Sequence, residues 1–566
     1  MSHLLFHRKQ STKLLICLLI LSVFLQESCN NKHVLAEKIV HTIGTPADDI
    51  EFRQQMSLVL EEYLSKIPAG NADTSKYINW QTVVKEVYSK NKYQAIWISK
   101  NGLTPKGNEL LHFIGTAEFL GLNKELYHYS LLQQIADSVE NIRPKVDYNL
   151  SRKLEAELTH SFLLMALHID RGTFIDTMTG INSNFVKSKT KYMEMLDKAP
   201  SDSISSLMAS LEPNNPLYDR YMKALRGFVS KNNISAEPIQ IRNPKKDSTG
   251  AAEDARKALV YHHYLPEALK NNTTAYIESL KRFQHDNNLN PDGVVGANTI
   301  VALSRDNSKK FQLLAINADR WRKESILKLP AKYIWINLPS YHLKLIDHDT
   351  LVLEKRIVIG RTKDNGESPT LQSAIREIIL WPTWTVPQNI IKKEMKSFKG
   401  YDVTRGPGWI KVVQPPGPKN SLGVVKLVFP NKYSVYLHDT PAKNLFNSDF
   451  RAASHGCIRC QDALEVAATL MMMDTFQITY DTLISIKDRK IETQSFYLKK
   501  PVPIFLRYFT AETDLDGELK FYADVYKRDQ AMIDFIFNGR QPHVPTKREI
   551  EYADSVSRSR KTLAKL

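Results

Sequence analysis

The side chains best suited to chemistry in this sequence cluster in one heptapeptide, Ser454-His455-Gly456-Cys457-Ile458-Arg459-Cys460, which holds both cysteines found after residue 29. A thiol reacts as its thiolate, and an unperturbed pKa of about 8.5 leaves little of that form at neutral pH unless a base or a cation adjoins the sulfur. His455 and Arg459 flank Cys457, and His438 lies 19 positions upstream. His438 is the better proton acceptor, because folding can carry a strand-end imidazole to the sulfur, whereas His455 is held two residues away by the chain itself. His455 and Gly456 are read as supporting residues. Gly456 permits unusual φ and close approach, so N–H groups around Gly456 and Cys457 are expected to form an oxyanion hole. Arg459 suits a substrate carboxylate, and Ser454 is placed with it on the substrate side. Cys460 leaves two readings open: a redox partner whose disulfide would silence Cys457, or an inert small side chain starting a helix. A second cysteine pair is lacking, so zinc is disfavoured there, and no metal or cofactor is expected. Asp439 either orients the His438 ring or belongs to an Asp-Thr-Pro turn.

Rigid elements must hold these groups. In NKYSVYLHDT (residues 431–440), strand alternation puts Tyr433, Val435 and Leu437 on one face and Ser434, Tyr436 and His438 on the other. His438 then ends a strand, where a base is both fixed and accessible. After Cys457, QDALEVAATLMM reads as a helix with Asp462 and Glu465 at capping-box spacing, so Cys457 is expected in a loop entering that helix. Strand-like periodicity runs from about Lys332, through KYIWINLPSYHLKLI and VLEKRIVIG to TFQITY. The Trp-, Pro- and Gly-rich stretch from Trp381 to Gly423, with a helix-like QNIIKKEMKSF inside it, is expected to be a lid.

Upstream, helical spacing dominates to about residue 255. Leu110, Ile114 and Ala117 fall at i, i+4 and i+7 before Gly121, and Leu154, Leu158, Met165 and Ile169 form a second stripe closed by Gly172. His160 and His168 share that second helix and, lacking companion ligands in the sequence, are read as structural. The polar run NPKKDSTGAAEDA marks a boundary at 243–255. Beyond it Tyr276, Leu280 and Phe283 share a helix face, Pro291-Asp292-Gly293 makes a turn, and a second helix starts near Asn298. The tail from 487 carries a hairpin at Asp516-Gly517 and then a charged stretch.

With 42% hydrophobic and 24% charged residues, the composition excludes a wholly disordered chain and a multi-span membrane protein. A formal charge of +16 suits an anionic partner, but no basic block singles out nucleic acid, and none is assigned. Arg8, Lys9 and Lys13 precede the apolar run Leu14–Leu25 and Ser28-Cys29, the layout of a signal peptide. Three outcomes stay open for it: lipidation at Cys29, simple cleavage, or retention as an anchor. The chain is therefore expected at the cell envelope, on the periplasmic side and tethered to a membrane through its N-terminus.

His438, fifteen intervening residues and then Ser454-His455-Gly456-Cys457-Ile458-Arg459 resemble the active-site signature of L,D-transpeptidases, with Arg459 in place of the asparagine of many members. LWPTWTVP, GPKNSLGVVKLVFPN, VYLHDTPAKNLF, YQAIWISKNGLTP and PVPIFLRYFTA resemble the large multidomain branch of that family. The FQ, DG-V-G and T-AL elements near residues 256–305 look like a peptidoglycan-binding module. The resemblance implies a multidomain α+β chain: a leader at 1–29, a tether at 30–45, a helical N-terminal scaffold at 46–255, a small helical wall-binding module at 256–308, a β-rich L,D-transpeptidase catalytic domain at 330–486 with its lid at 381–423, and a C-terminal hairpin and tail at 487–566. It further implies that Cys457 attacks a peptidoglycan tetrapeptide stem, releases D-alanine and passes the acyl group to a second stem as a 3-3 cross-link, and that carbapenems acylate the same sulfur. Two alternatives accompany it: resolution by water, giving an L,D-carboxypeptidase or a hydrolase of wall attachments, and an inactive peptidoglycan-binding scaffold. The acyl acceptor, the oligomeric state and which membrane carries the anchor are not read from the sequence.

Overall fold

The computed structural model describes residues 43–66, 80–173, 185–235, 239–324, 327–363, 366–474 and 478–539. The leader, Cys17, Cys29 and the tail beyond 539 lie outside the described residues. No helix among those described is long and apolar enough to cross a membrane. The chain divides into two units: the first takes the described parts of Met1–Glu118, Asn123–Asp170 and Ile175–Glu212, and the second those of Phe119–Leu122, Arg171–Phe174 and Pro213–Leu566.

The first unit is helical. Asp48 caps the helix Asp49–Ser65 by accepting the N–H groups of Ile50 and Glu51, and Phe52, Met56, Leu60 and Leu64 recur every four residues on its buried face. Pro105 opens the helix Pro105–Gly115 behind a Thr104 cap. That helix ends at Gly115, short of the expected Gly121, so Ala117 is buried from a following 3₁₀ turn. Tyr148–Arg171 is the central helix, with Leu154, Leu158, Met165 and Ile169 fully buried, and Gly172 follows it at φ +84°. Inside this core sits Glu155, which accepts from the Tyr88 hydroxyl at 2.6 Å and from the backbone N–H groups of Ile96 and Trp97 at 2.5 and 3.0 Å. Burial pushes its carboxyl up to about 7, against the opposing pull of those donors.

The helical scaffold does not run to 255 as the sequence suggested. The helix Pro216–Lys231 buries Tyr218, Tyr221, Met222 and Leu225 against Trp321, Tyr333, Trp335 and Phe509, and so belongs to the second unit. The run taken as a boundary at 243–255 is itself helical from Ser248, because the Asp247 carboxylate accepts the Gly250 N–H and starts the helix Ser248–Tyr261. That helix shares one core with Thr273–Asp286 and Ala297–Leu303. Buried Gln284 explains the FQ and DG elements of this module: its amide donates to Asp292 at 2.8 Å and the Val294 carbonyl at 2.9 Å and accepts from Gly293, whose φ is +75°.

Residues 332–507 build a nine-stranded sheet from β1 (Lys332–Asn337), β2 (His342–Asp347), β3 (Thr350–Gly360), β4 (Leu371–Leu380), β8 (Val425–Val428), β9 (Leu437–His438), β10 (Ala452–Ser454), β11 (Ile458–Cys460) and β12 (Gln494–Arg507). The strand order is β10-β3-β11-β9-β8-β4-β12-β1-β2, and β2 also pairs with β3, so the sheet closes on itself. The helix Ala463–Met473 is apolar nearly all round and packs in the core beneath the sheet. The catalytic domain therefore cannot end at 486, because β12 lies in mid-sheet between β4 and β1. TFQITY, expected as a strand, is not one where it is described: Thr479 caps the helix Tyr480–Arg489. The 381–423 insertion is more ordered than expected, carrying β5 (Trp384–Thr385), β6 (Asp402–Gly406) and β7 (Trp409–Gln414) as a small sheet beside the short helix Gln388–Lys393. Val386, Ile390, Ile391 and Val412 form its own core.

Glu155 sets a pH dependence for the first unit. Its folded pKa is raised above the unfolded value, so the folded state holds the proton to higher pH and stability falls as pH rises from about 4.5 through about 7. Thermal unfolding of the full chain is expected to show wild type losing on the order of 3 kcal/mol relative to Glu155→Gln between about pH 4.5 and 8. Parallel pH profiles for the two proteins would contradict this account.

Candidate active site

The site follows from one strand pairing. β9 and β11 run parallel with Leu437 opposite Ile458 and His438 opposite Arg459, and β8 runs antiparallel to β9 with Lys426 opposite His438 and Leu427 opposite Leu437. Because side chains alternate, Leu427, Leu437 and Ile458 fill the core while Lys426, His438 and Arg459 form a polar rank on the opposite face. Continuing the register back two residues sets Tyr436 opposite Cys457 on that same face, and the Ile458 N–H donates to the Tyr436 carbonyl at 3.0 Å. Cys457 thus lies immediately before a strand. The loop expected to lead it straight into a helix is displaced by β11, and the strand alternation drawn back to Tyr433 stops at Ser434, whose φ is +56°.

The sulfur touches the Tyr436 side chain and lies 3.9 Å from the Ser434 carbonyl oxygen. Burial pushes the thiol pKa up, and the Tyr436 contacts, Lys426 and Arg459 pull it down. His438 is buried, its Nδ1 lies 2.5 Å from the Asp439 carbonyl oxygen, and the Leu422 carbonyl is also beside the ring. A carbonyl can only accept, so Nδ1 carries the hydrogen and Nε2 is the basic nitrogen. Burial, with Arg459 and Lys426 nearby, pushes the imidazole down to about 3, which makes it neutral at pH 7. No hydrogen bond joins Sγ to this ring among the described residues; His438 and Cys457 are diagonal neighbours on one face, with the Tyr436 ring edge-on to the imidazole at a centroid distance of 5.6 Å. Arg459 pairs with no carboxylate among the described residues, and its Nε is buried without a hydrogen-bond partner. Lys426 lies over the Tyr436 ring at 4.0 Å.

The loop before Cys457 is held by its own backbone. Ser454 is buried, donates to the Cys457 carbonyl at 2.5 Å and accepts from the Gly456 N–H at 3.2 Å, so its hydroxyl is not turned toward a substrate as expected. The same bond removes the Gly456 N–H from the expected oxyanion hole. Gly456 does need its freedom, at φ +114°, and its carbonyl accepts from Ser368 at 2.8 Å. His455 turns to Glu394, 2.7 Å away, and Arg361 reaches the same carboxylate at 2.8 Å. The His455 contact, with help from Arg361, holds Glu394 below the usual carboxylate range.

Asp439 meets the imidazole only through its backbone carbonyl. Its carboxylate instead accepts from the Val424 N–H at 3.0 Å and pairs with Lys443. Cys460 is fully buried on the core face, donates to the Gln461 carbonyl at 3.2 Å and points away from the face that Cys457 occupies; both cysteines are free. It ends a strand rather than starting a helix. Asp462 precedes the next helix at φ +48° and caps nothing with its side chain, which pairs with Lys355 alongside Glu465.

Sequence reasoning missed four residues of the site: Lys426 and Tyr436 beside the thiol, Trp384, whose indole donates to Tyr436 from the 381–423 insertion, and Glu394, which meets His455. Tyr436 was within reach, being two residues before His438 on the same face. The others arrive through pairings that no local spacing encodes. Among the described residues, the side chains with the spacing of a metal-ligand set are His128, Glu157 and His160, which belong to the first unit.

Residues 331–484 match the L,D-transpeptidase catalytic domain, residues 82–225 the Scaffold domain and residues 253–303 a peptidoglycan binding domain. A curated protein of Haemophilus influenzae, bearing the name "Putative L,D-transpeptidase", is 24% identical over 340 residues, which are 55% of this chain and 64% of that one. This chain thus spans just under two thirds of the relative's length. Two solved structures also match: the Ldtfm–avibactam carbamoyl enzyme, at 14% identity and TM-score 0.17 over 31% of this chain and 49% of that one, and an L,D-transpeptidase from Stackebrandtia nassauensis, at 13% identity and TM-score 0.19 over 48% and 97%. Overlaps of that size establish no shared fold. With its matched catalytic, scaffold and peptidoglycan-binding segments, the chain resembles the L,D-transpeptidase family in its large multidomain form.

Proposed function

We propose that this protein is a cysteine-dependent L,D-transpeptidase that forms 3-3 cross-links in peptidoglycan, working on the periplasmic side of the cell envelope and tethered there through its N-terminus. The observation that carries the reading is a thiol, Cys457, set on one sheet face beside two cations, Lys426 and Arg459, of which Arg459 pairs with no carboxylate among the described residues, within a segment matching the L,D-transpeptidase catalytic domain. An unpaired guanidinium in a partly buried site calls for an anion, and a peptide-stem carboxylate is of the right chemistry.

Cys457 attacks the carbonyl joining residues three and four of a tetrapeptide stem. Its proton passes to Nε2 of His438, then to the departing D-alanine amine, leaving a thioester. The side-chain amine of a diamino acid in a second stem attacks the thioester, gives its proton to the same imidazole and releases the sulfur. Cations beside the sulfur favour its anionic form without needing an imidazolium partner. Arg459 is also one of the groups depressing the His438 pKa, so a carboxylate paired with Arg459 raises the basicity of the ring when substrate arrives. With the Gly456 N–H engaged by Ser454, the Tyr436 hydroxyl serves the developing oxyanion. Carbapenems are expected to acylate the same sulfur.

Incubation with tetrapeptide muropeptides is expected to yield D-alanine and cross-linked dimers with wild type, neither with Cys457→Ala, and at least about 100-fold less with His438→Ala. Dimers formed at the wild-type rate by Cys457→Ala would refute the assignment, and tripeptide monomers without dimers would replace it with a carboxypeptidase. A protein that gains no carbapenem adduct by intact mass and forms no product is a binding scaffold instead.

The electrostatic reading has its own test. Lys426→Met removes a cation that lowers the thiol pKa, so the alkylation–pH profile of Cys457 should shift toward higher pH, with a fall of up to roughly tenfold in rate per pKa unit at fixed pH. An unshifted profile would remove Lys426 from the account.

A further inference from the structure

The first unit brings together three side chains that the peptidoglycan chemistry leaves unused. On the helix Tyr148–Arg171, Glu157 and His160 are three residues apart and share a face. His128 reaches them from the junction between the 3₁₀ turn Lys124–Tyr127 and the helix Tyr129–Asn141, where it adopts a left-handed backbone at φ +54° and caps neither element with its ring. Its Nδ1 lies 3.1 Å from Glu157 Oε2, and His160 Nδ1 lies 3.7 Å from the same oxygen. The two imidazoles meet edge-on, with ring centroids 5.8 Å apart, and one ligand atom from each of the three residues falls within 4.8 Å of the others.

These separations are those of a coordination face. A tetrahedral zinc ion with bonds of about 2.0–2.1 Å has ligand–ligand edges of about 3.4 Å. The two edges to Glu157, 3.1 and 3.7 Å, straddle that value, and the third, between the imidazoles, lies within 4.8 Å, so an ion entering among the three would draw the two rings toward each other. We propose that His128, Glu157 and His160 bind one Zn²⁺, with water at the fourth, solvent-facing position. Two imidazole nitrogens and one carboxylate oxygen suit a borderline cation; Ca²⁺ and Mg²⁺ want more oxygens, and Cu²⁺ prefers a tetragonal set. Glu125 adds a further negative charge near His128. Of the two companions of His160, Glu157 is local, whereas His128 lies 32 positions away on another element, where no spacing marks it. The ion would brace the 124–141 segment against the central helix, beside the Ser161 hydroxyl that already donates to the Tyr127 carbonyl at 3.0 Å.

The test is isothermal titration of ZnCl₂ into the full chain after chelator treatment and dialysis, with His128→Gln, His160→Gln, Glu157→Gln and the double histidine variant alongside. One equivalent is expected in wild type, with affinity weaker by roughly 100-fold or more in each single variant and no binding at this site in the double variant. Undiminished stoichiometric binding by the double variant, or no binding by wild type, would overturn the proposal. Because a variant could lose zinc through misfolding, Co²⁺ is added to metal-free wild type as an independent readout. The intense visible absorption of a tetrahedral site is the expected result, and the weak spectrum of octahedral cobalt would count against it. A charged cluster that binds no metal gives neither heat nor colour.

Discussion

The parallel pairing of β9 with β11 is the constraint on which the site depends. Two residue pairs, Leu437 with Ile458 and His438 with Arg459, set the register. Slipping β9 by one residue against its neighbours would send Leu437 to the outer face and turn His438 into the core. Each buried aliphatic side chain contributes about 1.5–3 kcal/mol relative to exposure, whereas an unpaired charge in the same place costs several. Register and site are therefore specified by the same energetics: the apolar residues that close the core oblige the alternate positions to carry Lys426, His438, Arg459 and, one step back, Tyr436 and Cys457.

How much of this the sequence disclosed follows the distance over which each relation acts. Cys457 and His438 were legible as candidates because cysteine is scarce in this chain and because alternation places His438 at a strand end. Helix faces were legible where one stripe packs one core, as with Leu154, Leu158, Met165 and Ile169. Ser454 was misassigned because a hydroxyl beside a nucleophile looks available until the loop closes around it, and only the fold shows it committed to the Cys457 carbonyl. Asp462 was misread for a similar reason: D-x-x-E spacing promises a cap, but a left-handed backbone turns the carboxylate to Lys355, more than a hundred positions away. β12 was taken for a tail element because nothing local distinguishes a central strand from an appended one. Lys426 and Glu394 carry no mark in the sequence, since their relation to Cys457 passes through other strands and the 381–423 insertion.

The charges at the site form an incomplete set. In a thiol–imidazole pair resting as ions, the imidazolium would stabilise the thiolate, yet His438 is held neutral by burial and by the cations beside it, while burial also disfavours the thiolate. Lys426, with Glu377 nearby, and Arg459, which pairs with no carboxylate among the described residues, supply the positive charge instead. Such a site is costly to keep closed to solvent, and the cost falls when an anion enters. The same entry weakens the field that depresses the imidazole. An anion paired with Arg459 would thus also raise the basicity of the His438 ring.

The 381–423 insertion is part of this arrangement. It holds its own core in Val386, Ile390, Ile391 and Val412, so it can keep its shape independently of what lies beneath it. Its base is gathered by Asn420, whose amide donates to the carbonyls of Pro382 and Pro415 at 3.0 and 2.9 Å. At the exit, Gly423 sits at φ +64° against Asp439, where a Cβ would strike the carboxylate that accepts the Val424 N–H. The residue following His438 therefore also fixes the point where the insertion rejoins the sheet. From within the insertion, Trp384 donates to Tyr436 and Glu394 bridges His455 and Arg361. One of these contacts is made to the side chain touching the sulfur and the other to the loop that presents it. Any displacement of the insertion must therefore disturb both the side chain on the sulfur and the loop that presents it.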